Sequence, residues 1–526
     1  MEANESVRLR RLAGGWHIEA MGEVSLVLGG ELHNSSSGGK QFLGSALDRA
    51  VEAGIDTVLV PVTWEQIEAA PGEFDLSPVD DLITAVEARG LRLVPLWFGA
   101  WKNGRSSYAP AWVLSDPESF PHAESRDGHP MPTLSLFASR LLEVEREALR
   151  RVVERLASAA APGTVVALQL NNEVGLLGDS RDRSSGADQA FRGPLPASLA
   201  DALGCTGSPQ GSDWQSMLGV GSSTDEMFMA WHYAQHIEQL ALTTRSILEV
   251  PLLVNAWLNE EVVLPGAPAG GVEPGDYPSG GPLAHVATAW RLAAPSVEIL
   301  APDIYFGNDE AIMQRFSEGN QPLFIPETEL GHVGAGRAFL SVGRFGALGI
   351  SPFGVDQASP EEANILRWAF ERLRALTSDI LEARACGAVT GFVLDGRVNS
   401  PWYHDGIRYE IVSPQHLLES PAPSAYGLLL VLPGGEVLAV GRGFTIRAFD
   451  AATGSPCYVR DVYEDELVDG VRRPARRLNG DETGGGDSLN LPAIETPRAA
   501  SPISVDFRST GIRRGRFIPT WVELDS

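Results

Sequence analysis

The run TVVALQL (164–170) is largely apolar and leads directly into Asn171, Asn172 and Glu173. A second run, PLFIPE (322–327), closes on Glu327, with Glu329 two residues on. Asn and Glu are poor strand residues, and a carboxylate beside a buried strand is costly unless something pairs with it. Two carboxyl groups about 5–5.5 Å apart can break a glycosidic bond with retention of configuration. One attacks the anomeric carbon, and the other protonates the leaving oxygen and later deprotonates water. That acid must hold its proton near neutral pH, which partial burial and a second negative charge favour.

The elements that would carry these groups follow from the periodicity. Short apolar runs recur as VSLVLGG (24–30), DTVLVPV (56–62), RLVPLWF (92–98), TVVALQL (164–170), VPLLVNAWL (250–258), VEILAPDIYF (297–306), PLFIPE (322–327) and ALGISPFG (347–354). Several lack alternation, as expected for parallel strands buried on both faces. Segments of helical period separate them, among them FLGSALDRAVEAG, PVDDLITAVEARG and SRLLEVEREALRRVVERLASAA. Eight strand–helix repeats predict a closed (β/α)8 barrel, with its site at the C-terminal ends of the strands. An open doubly wound sheet would carry a Gly-rich phosphate turn after its first strand, whereas here that strand runs into GGELHNSS.

The polar residues closing each run then form a ring: Glu31, His33 and Asn34; Trp64, Glu65 and Glu68; Trp97, Trp101, Lys102 and Asn103; Asn171, Asn172 and Glu173; Asn255 and Trp257; Asp303 and Tyr305; Glu327; Asp356 and Gln357. Aromatic faces stack on the C–H faces of sugars, and amides and carboxylates hydrogen-bond hydroxyls, so the ring suits a neutral polyhydroxyl substrate. Alone, a Glu at a strand end is ordinarily a solvated loop residue, and a Trp is ordinarily packing. The pairing of Glu173 after strand four with Glu327 after strand seven, across the barrel, is what carries the reading.

The remaining sequence narrows the class. The chain has 526 residues and a formal net charge of -27, from 41 Lys+Arg against 68 Asp+Glu. That charge repels nucleic acid and anionic lipid surfaces, so neither is an expected partner. Cys205, Cys386 and Cys457 are odd in number and far apart, which makes neither a disulfide framework nor a zinc site and fits a reducing compartment. MEANESVRLRRLAGGWHIEA has no apolar h-region after its basic residues, and no apolar run reaches the roughly 18 residues of a membrane helix. The expectation is a cytoplasmic protein, with no cofactor or metal, acting on a small carbohydrate; a homo-oligomer is compatible with this. A long helix, EEANILRWAFERLRALTSDILEARACG, follows Pro360. From about Gly387 short strand-like runs (VTGFVLDG, AYGLLLVL, EVLAVGRG, TIRAFD, ISVDFRS) predict an all-β, sandwich-like domain. The expected division is a barrel over residues 1–384 and a β domain over 385–526, with NGDETGGGDS (479–488) as a loop.

Over roughly residues 20–360 these motifs resemble family 35 glycoside hydrolases, the β-galactosidase family, within the clan of retaining (β/α)8 glycosidases and with kinship to family 42. GGELHNSS is similar to the family's G-x-x-H-Y segment, WEQIEAAPGEFD (64–75) to W-x-x-H-E-P-x-x-G-x-F-D, APAWV (109–113) to L-P-x-W-L, QLNNEVG (169–175) to Q-x-E-N-E-Y-G, and PLFIPETELG (322–331) to P-L-x-x-T-E-x-x-x-G. The tail is similar to the β domain of a bacterial subgroup. Departures stand at Ile67 for His, Asn171 for Glu, Val174 for Tyr and Pro326 for Thr, and FGAWKNG replaces C-A-E-W. The resemblance implies Glu173 as acid/base, Glu327 as nucleophile, and a metal-independent exo-glycosidase releasing β-D-galactose. Asn172 is expected on the sugar 2-OH, and Glu31, His33, Asn34, Glu68, Trp101, Asn103 and Tyr305 are candidate glycone contacts. The same chemistry fits an exo-β-glucosidase or a transglycosylase; a non-catalytic carbohydrate-binding protein is the remote alternative.

Overall fold

Flat apolar runs do become parallel strands. The computed structural model describes residues 7–205, 212–261, 270–394, 401–413, 425–478, 480–493 and 509–519. Eight parallel strands, β1 (Val27–Glu31), β2 (Thr57–Thr63), β3 (Arg92–Lys102), β4 (Leu168–Asn172), β5 (Leu252–Trp257), β6 (Ile299–Asp303), β7 (Phe324–Ile325) and β8 (Gly349–Ile350), lie in the order β6-β5-β4-β3-β2-β1-β8-β7. A parallel bridge between Ile304 and Thr328, with the Ile304 N–H on the Glu327 carbonyl at 3.0 Å, joins β6 to β7 and closes the ring. The fold is a (β/α)8 barrel. β7 and β8 are only two residues long, because Pro322, Pro326 and Pro352 deny the ladder its donors on either side.

The helices follow their strands: α1 (Lys40–Glu52), α2 (Ser77–Glu87), α3 (Ser139–Ala159), α4 (Ser222–Arg245), α5 (Ala287–Ala293), α6 (Asp309–Ser317), α7 (Gly331–Arg344) and α8 (Pro360–Ala375). α3 shows why they sit where they do. Leu149, Val152, Val153 and Leu156 recur at three- and four-residue steps, with Leu141 about two turns earlier, and all are buried, so one apolar stripe faces the barrel. The long helix expected after Pro360 is two. α8 ends at Leu376 (φ -106, ψ 8), and α9 (Thr377–Ala385) starts afresh. The Thr377 hydroxyl donates back to the Leu373 carbonyl at 3.1 Å, a local bond that competes with the helical ladder. The N-terminal segment also holds structure that its polar texture hides. Val7–Leu12, Gly15–Ala20 and Glu23–Ser25 form an antiparallel sheet. It lies at the N-terminal end of the barrel, where the Trp16 indole N–H donates to the Asn320 carbonyl at 2.8 Å.

Beyond α9 come two antiparallel sheets. One has six strands (Val389–Leu394, Ala425–Leu432, Glu436–Arg442, Ile512–Pro519, Cys457–Val468, Val471–Arg477) and the other four (Trp402–His404, Ile407–Val412, Phe444–Asp450, Leu489–Leu491). Period-two alternation splits the six-stranded sheet. Leu429, Val437 and Ala439 pack against Phe444, Ile446 and Leu489 of the other sheet, while Tyr426, Leu428, Leu430, Leu438, Val440 and Ile512 join the core of the barrel. The run ISVDFRS lies, but for its last residue, outside the described residues. Among the described residues no helix is long and apolar enough to cross a membrane.

Candidate active site

The end of β4 is bent to serve its side chains. Asn171 and Glu173 both take positive φ, 57° and 46°, a conformation Asn tolerates and Glu does not favour. Buried bonds hold the bend. The Asn171 side chain accepts from the Trp101 N–H at 3.1 Å and donates to Glu145 Oε1 at 2.9 Å, and the Glu173 N–H donates to Asn255 Oδ1 at 2.9 Å. Glu145, from α3, also accepts from the Trp97 indole at 3.1 Å, the Ala100 N–H at 3.0 Å and His236 Nε2 at 2.8 Å. A Cβ at Gly99 would collide with Glu145, Trp97 and Asn171, so β3 needs glycine there to admit the network.

Around this support the strand ends converge. One carboxylate oxygen from each of Glu173, Asp303 and Glu327 lies within 4.8 Å of the other two. Asn255, from β5, ties them together: its Nδ2 donates to Asp303 Oδ2 at 2.8 Å, Asn172 Oδ1 at 3.1 Å and Glu327 Oε1 at 3.3 Å. Gln169 Nε2 adds a second donor to Asn172 Oδ1 at 3.0 Å. That fixes the Asn172 amide with Nδ2 directed at Asn103 Oδ1, 3.5 Å away. Asn103 in turn accepts from Lys102 Nζ at 2.6 Å. The Tyr305 hydroxyl donates to Glu327 Oε2 at 3.0 Å. On β1, Glu31 is fully buried and both its oxygens lack a donor among the described residues.

The electrostatics separate the two glutamates. Burial, then the charge of Glu327, pushes the Glu173 carboxyl up to about 8, against the pull of Lys102. Burial also raises Glu327, but Lys102 and the Tyr305 hydroxyl oppose it. Glu31 and Asp303 are pushed well above the usual carboxylate range by burial and then by Glu327. Tyr305 is raised by the same two causes and stays a donor. A protonated Glu173 facing a hydrogen-bonded Glu327 can supply one proton donor and one nucleophile. The same three carboxyls are close enough to ligate one cation, a use that would require all three to ionise together.

Of the ten residues expected at the site, Glu173, Glu327, Asn172, Glu31, Asn103 and Tyr305 come together. Trp101 does not join them. It is fully buried, its indole N–H donates to the Leu134 carbonyl at 3.2 Å, and Tyr233 and His236 pack edge-on against it, so it offers a sugar no face. Glu68 is spent on structure, accepting from the Trp64 indole at 2.9 Å and the Gly72 N–H at 2.8 Å. His33 and Asn34 are half-buried at the rim, with the His33 N–H on Asp356 Oδ1 at 3.0 Å and its ring against Phe353. Asn255, Asp303 and Lys102 stand among the strand-end residues without having been expected in the site. Glu145 and Gln169 were legible only as polar residues on otherwise apolar stripes.

A sequence family described as a domain of unknown function (DUF5597) matches residues 366–490. A comparison with curated proteins finds no match. Among solved structures, the chain is similar to a β-galactosidase from the psychrophilic Marinomonas ef1 (TM-score 0.48, 13% identity, covering 68% of this chain and 61% of that one). It is also similar to a β-galactosidase from Bacillus circulans sp. alkalophilus (TM-score 0.49, 13% identity, 68% and 57%). A third similar structure is the catalytic domain of a β-amylase from Paenibacillus polymyxa (TM-score 0.47, 14% identity, 64% and 96%).

Proposed function

We propose that the protein is a retaining glycoside hydrolase that releases terminal β-D-galactose from oligosaccharides or glycosides, in the manner of family 35. The observation that carries the reading is the short gap between the Glu173 and Glu327 oxygens. It suits direct attack on an anomeric carbon and is tighter than the roughly 6.5–9.5 Å that an inverting pair leaves for water. In the first half-reaction Glu327 bonds to the anomeric carbon as the leaving oxygen takes the proton of Glu173. In the second, Glu173 takes a proton from water, whose oxygen attacks the anomeric carbon and frees Glu327. The fixed Asn172 amide is oriented to meet the 2-OH, an interaction that strengthens as positive charge develops on the ring.

In the strand-three segment FGAWKNG stands where the family carries C-A-E-W. That departure supports a second reading, an exo-β-glucosidase or transglycosylase on the same scaffold. The test is a panel of nitrophenyl glycosides, run with and without a sugar acceptor, with the first-formed anomer read by proton NMR. The expected result is turnover of the β-galactoside with the β-anomer appearing first, abolished in Glu327→Gln and reduced in Glu173→Gln. An α-anomer appearing first, or full turnover in both variants, would overturn the mechanism.

A further inference from the structure

Asp303 has no part in the double displacement as written, yet it is set against Glu173. It closes β6, is 3% exposed, and accepts from Asn255 Nδ2 at 2.8 Å through Oδ2. Its other oxygen, Oδ1, is buried and meets no donor among the described residues. One oxygen of the Asp303 carboxyl lies within 4.8 Å of one of Glu173, and each carboxyl acts on the proton affinity of the other. Two carboxylates this close repel; a bond between them forms only when one of them carries a proton. The charges acting on Asp303, from Glu327, Glu173 and Glu31, are all negative. Lys102 faces Glu31, Glu173 and Glu327 from β3, and Tyr305 faces Glu327. The proton therefore has its best seat on Asp303.

We propose that Asp303 is a positioning residue that remains a neutral carboxylic acid throughout turnover and donates its O–H to the Glu173 carboxyl. This rests on Glu173 serving as the acid/base. When the glycosidic C–O bond breaks, its electron pair stays on the leaving oxygen, which takes the Glu173 proton. The Glu173 carboxylate left behind is held by the Asp303 O–H. When Glu173 then takes a proton from water, Asp303 still carries the proton it began with. Its work is to keep Glu173 aimed and to limit its proton affinity, so that it can both give and accept.

Two substitutions separate a neutral donor from a charged neighbour. Asp303→Asn replaces the O–H with an amide N–H, and Asp303→Ala supplies no donor. The expected result is that Asp303→Asn keeps kcat/KM within about threefold, with the basic limb of its pH profile unmoved. Asp303→Ala should lose about 10- to 100-fold in kcat, with that limb displaced upward. Infrared difference spectra of the full-length wild type against Asp303→Asn at pH 7 should show loss of one protonated-carboxyl C=O band, a readout independent of turnover and of whether the Ala variant folds. Absence of that band, or a basic limb that drops in Asp303→Asn, would overturn the proposal. If Glu173→Gln and Glu327→Gln leave turnover intact, the hydrolase reading fails instead, and the infrared band still decides where the proton sits.

Discussion

At the scale of single residues, the sign of the pH dependence follows from Glu173. Its carboxyl is raised to about 8 by burial and then by Glu327, so the acid form is present below that value. We expect kcat/KM to fall as pH rises through about 8. Glu173→Gln should cost about 10²- to 10⁴-fold with poor leaving groups and far less with nitrophenol; an equal loss on both would argue against an acid role. Glu31 makes the opposite case, a side chain that weakens the fold. Its oxygens are buried without donors among the described residues, and burial followed by Glu327 raises it well above its ordinary value. A carboxyl raised in the folded state stabilises fully below its unfolded value and loses that contribution as pH climbs through the folded one. Glu31→Gln should therefore raise the unfolding free energy from urea titration at pH 8 by about 1–3 kcal/mol and change it little at pH 4; an equal shift at both would refute this. The convergence of Glu173 and Glu327 was legible because acids are out of place at the end of buried runs. Glu68 and Trp101 misled because spacing does not say which side of the backbone a strand end presents. Trp101 lies within the register shift of β3 against β4 between Trp97 and Lys102, and its ring packs against His236 of α4.

At the scale of elements, the barrel was legible wherever strands are long and both faces are apolar. β7 and β8 were read from the flat apolar runs PLFIPE and ALGISPFG, although each is only two residues long. The N-terminal sheet escaped notice because its strands are rich in Arg and Glu: the Glu19 carboxylate gathers Arg8 at 3.2 Å and Arg10 at 2.9 Å on its solvent side. The element that matters most for the site is α3, through one residue. Glu145 occupies a position on the stripe otherwise filled by Leu141, Ala148 and Leu149. Burial alone would raise its carboxyl, but the bonds from His236, Asn171 and Ala100 outweigh that and hold it low. Glu145→Ala would strand the donors of Trp97, Ala100, Asn171 and His236 in the core. The expected cost is about 3–5 kcal/mol, with kcat falling as the bend before Glu173 relaxes. Since a depressed carboxyl stabilises above its unfolded value and loses that as pH falls, the wild-type advantage over Glu145→Gln should shrink toward pH 3. Denaturant titrations of both proteins across that range check it.

At the scale of the whole molecule, the β domain is fused to the barrel by packing as well as by chain. Gly343 on α7 faces Gly391 on the adjoining strand, and a Cβ at Gly343 would meet the Gly391 N–H at 2.6 Å and the Leu428 side chain closer still. A Cβ at Gly391 would strike the Phe339 carbonyl. Helix and sheet backbones are thus in near contact, and Tyr426, Leu428 and Leu438 belong to the same apolar core as Ala338, Phe339 and Leu340. α7 begins four residues after Glu327, so the domain that clamps α7 also steadies the strand end that carries this carboxylate. Glycine within a helix ordinarily costs about 1 kcal/mol relative to alanine, so Gly44→Ala on α1, where the nearest outside atom is 3.6 Å away, should stabilise by up to that amount. The same exchange at Gly343 should reverse sign, because overpacking costs about 1–3 kcal/mol. Hydrogen exchange read by mass spectrometry gives the decisive pattern. In Gly343→Ala, peptides spanning β7 and peptides spanning Ala425–Leu432 should lose protection together, with KM rising as Glu327 loosens. Loss confined to the sheet, with β7 and catalysis untouched, would mean that the β domain hangs on the barrel without supporting its site.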